Sequence, residues 1–183
     1  MDAVEAIRQL FSSSGIVVFP GFEISSSEKI HFVCLFSEET STQLLERYLG
    51  NLDLLDPENG VRPSRLSAIQ LIEKVEQLGG FIYAAHSTND SGLLKAKMNH
   101  VWQHPQLKVS QIPGAIEDLK SVENDFYRKV FLNKDNAYKR ERPMAAINAK
   151  DVEAPETIKK KSASCLIKMT KPSFSAFKQA FLD

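Results

Sequence analysis

The sequence predicts an α/β protein built on a largely parallel sheet, and three observations predict it. Apolar runs rich in β-branched and aromatic residues, at 16–19, 30–36 and 81–85, have the composition of strands buried on both faces. Around them lie stretches whose apolar residues recur at helical spacing. The order helix, Gly79-Gly80, apolar strand, polar loop then describes a βα unit, the repeating piece of parallel sheets and barrels.

Each element has its own justification. Residues 2–13 place Val4, Ile7, Leu10 and Phe11 on one helical face, and the serines before Gly15 stop that helix. The run 16–19 is expected as a buried strand, broken by Pro20-Gly21. Extended pairing resumes through Phe22-Glu23-Ile24, with Glu23 facing away from both neighbours. A serine-rich turn leads to the strand 30–36, in which His31 is the single polar residue. Residues 40–49 read as a helix and 51–63 as a surface loop. Ser64 is expected to cap a helix that runs to Leu78 and ends at Gly79-Gly80. The strand 81–86 follows, ending in His86 and the polar loop 87–92. In parallel α/β folds such strand ends and the loops after them collect chemistry.

The second half continues the alternation. Residues 93–104 are expected to be helical, and 107–112 alternates as a half-buried strand does. A charged helical region at 116–132, interrupted near Ser121, precedes a loop at 133–142 dense in Lys and Arg. The short apolar strand 144–149 delivers Lys150-Asp151-Val152-Glu153. Residues 163–169 are expected as a last strand, and Ser173 opens a closing helix with Phe174, Phe177, Ala180 and Phe181 inward. No internal repeat or linker divides the chain, so residues 1–183 are expected to form a single domain.

The totals narrow the function classes. Lys and Arg number 23 together, as do Asp and Glu, so no global charge draws the chain to nucleic acid or anionic lipid. The two cysteines, Cys34 and Cys165, lie in apolar runs and read as buried, reduced thiols without a cationic neighbour to activate them. The N-terminal stretch is an amphipathic helix rather than a signal peptide, and no apolar run approaches the ~18 residues of a membrane span. The expectation is a soluble cytoplasmic protein that does not engage a membrane. The loop 87–92 lacks the glycine spacing and lysine of a phosphate-binding loop. His100 and His104 stand at i, i+4 without an accompanying glutamate and read as a solvated helix face.

Polar side chains at the ends or turns of apolar strands form a set: Glu23, His31, His86, Asp151 and Glu153. Carboxylates and imidazoles together make sites for Zn, Mn or Fe, although a lone strand histidine is more often a core residue with its hydrogen bonds satisfied. PGFEIS, IHFVCLF, GGFIYAAHSTNDSGLL, the strand leading to AKDVE, and SASCLIKMTKPSFSAFKQAFLD resemble, in that order, the polymerase-and-histidinol-phosphatase (PHP) family. The pattern is most similar to the PHP domain that precedes an ATPase region in TrlF-type proteins.

This resemblance implies a distorted seven-stranded β/α barrel with a divalent-metal cluster at its mouth, used for phosphomonoester or phosphodiester hydrolysis. It assigns metal ligation to Glu23, His31, His86, Asp151 and Glu153, with Glu23 and His86 indispensable to catalysis. Glu153 stands where the family carries a histidine. The family's opening His-x-His has no counterpart before His31, so the expected barrel is incomplete, an N-terminally truncated PHP-like domain lacking its first strands. Exposed sheet edges would then favour self-association or an ATPase-type partner domain. The expected function is a metal-dependent phosphoesterase with impaired activity. Its alternative is a catalytically inactive PHP-like module that binds or assembles within an ATPase-associated system. The expected partner is a phosphorylated substrate, with nucleic acid brought in through 139–142 and Lys159-Lys160-Lys161 as one form of it.

Overall fold

A computed structural model describes residues 3–11, 13–56, 62–112, 119–148, 156 and 164–182. Within them five strands belong to one sheet in the order β1-β2-β3-β4-β5: β1 Gly21–Ser25, β2 His31–Leu35, β3 Phe81–Ala84, β4 Val109–Ile112 and β5 Ala145–Asn148. Six helices accompany them: α1 Ala3–Phe11, α2 Thr42–Gly50, α3 Ala68–Gln77, α4 Asn99–Trp102, α5 Asp125–Phe131 and α6 Phe174–Gln179. The fold is therefore mixed α/β, as the sequence predicts. The chain divides into two units, one of Met1–Lys29, Val33–Ile82 and Ile167–Asp183, the other of Ile30–Phe32 and Tyr83–Leu166.

In the first unit, the strand begins later than the apolar run suggests. Residues 16–19 are not a strand among the described residues, and Ile16 is largely exposed. Pro20 has no N–H to pair, and its carbonyl instead accepts from Phe36 N–H at 2.8 Å. Phe19 is apolar because it packs on α6, 5.4 Å from both the Phe174 and Phe177 rings. Pairing starts at Gly21, where a Cβ would stand 2.3 Å from the Cys34 carbonyl oxygen, so only glycine lets the two backbones approach. Cys34 is fully buried, and burial pushes its thiol pKa up, which leaves it inert.

The cap of α3 is Ser67, not Ser64. Ser67 Oγ accepts from Gln70 N–H, and Gln70 Oε1 accepts from Ser67 N–H, a reciprocal pair that needs Gln at the third helical position. Ser64 is buried instead, its hydroxyl donating to Leu52 O and accepting from Leu66 N–H. Glu28 adds an acceptor for Ala68 N–H at 3.0 Å, at the positive end of α3. Desolvation works to raise the Glu28 carboxyl. Hydrogen bonds from its own backbone N–H, Ser26, Ala68 and Ser27 outweigh it and hold the carboxyl below its ordinary value. Because the folded value is depressed, this contribution is present above the ordinary 4.5 and lost as pH falls through the lowered value. Urea midpoints measured down to about pH 3 should fall less steeply in Glu28→Gln than in the parent chain; parallel profiles would count against this assignment.

At the other end of this unit, α6 is capped by Ser173 Oγ on Ala176 N–H, and Glu38 accepts from Phe174 N–H. Phe174 and Phe177 face inward, but Ala180 lies beyond the helix end and is exposed. Residues 164–169 are not a strand among the described residues. Cys165 is exposed there and Leu166 fully so, because an apolar run does not by itself supply a partner ladder.

The second unit carries the parallel pairing. Ala84 is in register with Ser110, and Val109 through Ile112 with Ala145 through Asn148. β3 is buried along its whole length, as its composition predicts. β4 is more buried than its alternation suggests: Ser110 is fully enclosed and shares a 2.6 Å hydrogen bond with the equally buried Ser87 hydroxyl. The expected helix at 93–104 reduces to α4, since 93–97 form turns with Lys97 at a positive φ of 55°. The break near Ser121 is a short 3-10 turn, Leu119–Ser121, before α5.

Candidate metal centre

His31 opens β2, and its strand alternates between fully buried Phe32 and Cys34 and half-buried His31, Val33 and Leu35. The histidine thus lies on the more open face, which explains how a polar residue fits an apolar run. His86 stands two residues past β3, half-buried, at a φ of 27°. The two rings meet edge to face, with His31 Nδ1 and His86 Nε2 3.2 Å apart.

One loop fixes both histidines. His31 N–H donates to Ser91 O at 3.0 Å, and Ala85 N–H donates to His31 O at 3.0 Å. His86 N–H donates to Gln111 Oε1, and Ser87 N–H to the Gln111 carbonyl. The loop closes on itself through Asn89 N–H to His86 O, Gly92 N–H to Asn89 O, and Leu94 N–H to Ser87 O. Gly92 makes this possible. A Cβ there would stand 2.4 Å from the His86 carbonyl oxygen and 2.6 Å from Ser87 backbone atoms. Gly92→Ala is therefore expected to cost about 1–3 kcal/mol through overpacking. Urea unfolding checks the loss, and a midpoint equal to the parent's would contradict the close approach.

Glu23 is exposed on β1. Glu23 is a carboxylate of the first unit, whereas His31 and His86 both belong to the second and offer two imidazole nitrogens 3.2 Å apart. Their chemistry fits a divalent transition ion. Ligands about 2.0–2.1 Å from zinc in a tetrahedral shell stand about 3.3 Å apart, close to the 3.2 Å between the two imidazole nitrogens.

The remaining predicted ligands, Asp151 and Glu153, lie outside the described residues, as do Lys159, Lys160 and Lys161. His100 is exposed on α4 while His104 falls beyond the helix end, so the two do not share a helical face. The basic stretch 139–142 is not a uniform solvated loop. Arg140 turns inward to Trp102 O, His104 O and Leu107 O, and burial pushes its guanidinium pKa down. Lys139 and Arg142 are exposed. Sequence reasoning missed Gly92 and Gln111, which shape the loop around His86. The Ser91-Gly92 pair is a turn signal, but nothing local marks Gln111.

No protein-family model matches the chain, and no curated protein sequence matches it. Among solved structures the chain is similar to the lesion-specific endonuclease PfuEndoQ from Pyrococcus furiosus, at 16% identity and a TM-score of 0.44. The likeness covers 53% of this chain and 25% of that one, so the match spans about a quarter of that protein's length. Among the described residues no helix is long and apolar enough to cross a membrane.

Proposed function

We propose that the chain is a metal-dependent phosphoesterase of PHP type, with Glu23, His31 and His86 holding a divalent ion of the Zn, Mn or Fe group. The observation that carries this reading is the meeting of two imidazoles from strand ends, His31 Nδ1 and His86 Nε2, at 3.2 Å. The ordered motifs that resemble the PHP family support the choice of phosphoester over other substrates. A divalent ion at such a donor set supplies Lewis-acid chemistry toward a phosphoryl oxygen.

The chain's own groups have separable tasks. His31 and His86 each present a ring nitrogen toward the other, and in the absence of an ion one donates and the other accepts. Glu23 adds the negative charge that offsets a dication. The loop 86–92 holds both imidazoles through backbone bonds, so they need little rearrangement before binding.

The test is twofold. Metal content after loading with Mn or Zn should collapse in Glu23→Ala, and hydrolysis of bis-p-nitrophenyl phosphate with Mn should disappear in His86→Ala. A parent chain that binds metal without any turnover would favour the inactive assembly module. Unchanged metal content in Glu23→Ala would remove Glu23 from the site.

A further inference from the structure

His86 adopts a left-handed φ of 27°, a conformation that a histidine keeps only when its surroundings over-determine it. Three of the hydrogen bonds around it bear on its backbone. Asn89 N–H donates to the His86 carbonyl at 2.8 Å, and Ser87 N–H donates to the Gln111 carbonyl at 3.0 Å. His86 N–H donates to Gln111 Oε1 at 3.1 Å. The first two are backbone bonds that almost any residues would supply. The third depends on one side chain, and it holds the peptide group of the residue whose ring must be aimed.

Gln111 is well placed for this task. Its strand is locked in register with β5, Gln111 opposite Ile147, and the preceding Ser110 is fixed to Ser87 through their enclosed hydroxyls. The amide therefore projects from a rigid base toward the less regular end of β3, where the regular ladder no longer governs the chain. An unbonded N–H at that point would be free to rotate the His86 peptide, and with it the direction of Cα–Cβ.

We infer that Gln111 is a positioning residue that sets the direction of the His86 imidazole toward His31 by accepting the His86 peptide N–H. The inference rests on the proposed metal centre for its consequence, though not for its geometry. Gln111 need not touch the ion or the substrate. Its effect reaches the ion only through His86, in the manner of outer-shell partners that hold metal ligands in place.

The experiment compares the full chain with Gln111→Met, which keeps length without a strong acceptor, and Gln111→Glu, which keeps an acceptor oxygen. Amide hydrogen exchange of the metal-free proteins is followed by NMR, and zinc affinity by calorimetry. In Gln111→Met the His86 amide should exchange about tenfold faster, as loss of one ordinary hydrogen bond requires, while the Ser87 amide stays protected. Zinc affinity should fall about tenfold in the same variant. Gln111→Glu should restore both. Should Gln111→Met fail to fold, Gln111→Asn, with its oxygen one methylene short, takes its place with the same expectations. Full His86 protection in the Met or Asn variant overturns the inference, as does a Glu variant that behaves like Met. Faster His86 exchange with unchanged zinc affinity also overturns it, because the bond would then hold the loop without aiming the ring. A parent chain that binds no zinc sinks the metal reading itself and leaves the His86 exchange to decide the role of Gln111.

Discussion

Replacing His86 by alanine should weaken Zn or Mn binding by more than about a hundredfold, beyond the 10–100-fold typical of changes in groups that merely support a ligand. His86 Nε2 is 3.2 Å from His31 Nδ1, so its loss removes one of two adjacent nitrogen donors. Under the proposed function, phosphodiester hydrolysis should fall at least as far, because a Lewis acid that is absent polarises nothing. The fold should survive. His86 lies outside the regular strand, and its backbone bonds to Gln111 and Asn89 do not use the imidazole. Calorimetry with each metal, alongside a urea melt, separates the two effects. Metal affinity within a few fold of the parent would exclude His86 as a ligand.

Arg140→Ala is expected to destabilise the chain by about 3–5 kcal/mol. Its guanidinium bonds the carbonyls of Trp102, His104 and Leu107, gathering the end of α4 and the approach to β4. Trp102 is 1% exposed and packs edge to face on Phe131 and Tyr138, so the loss falls on a core region. Removing the donor leaves carbonyls without that partner, and each such group costs about 1–3 kcal/mol where water cannot replace it. Arg140→Lys should recover only part of the loss, because one ammonium does not reproduce a planar fork spanning three acceptors. Equilibrium urea unfolding checks both variants. A loss under about 1 kcal/mol in Arg140→Ala would mean that the fork adds little beyond solvent.

Asn133, at a φ of 57°, receives Arg140 N–H on its side-chain oxygen and donates its amide to Arg140 O, fixing the loop from both sides. Within 139–142, Lys139 and Arg142 are the basic side chains left facing solvent. A run of basic letters thus contains one structural residue beside two exposed ones.

What the sequence determined by itself is what depends on local pattern. The buried strand at β3 follows from a continuous apolar run, the helical stripe of α3 from its spacing, and the stop at Gly79 from a residue that tolerates a φ of 79°. The anomaly of His31 in an apolar strand and of His86 at a strand end was equally visible. Tertiary structure alone decided which apolar runs find a ladder. Residues 16–19 and 164–169 have strand composition, yet backbone pairing depends on a neighbour that no run encodes about itself. It alone decided that Arg140 points inward. It also brought His31 to 3.2 Å from His86 across 55 residues, with Gln111 holding the second histidine from another strand. Each of these is a contact between distant segments, set by where the parallel sheet places its strand ends and not by the residues beside them.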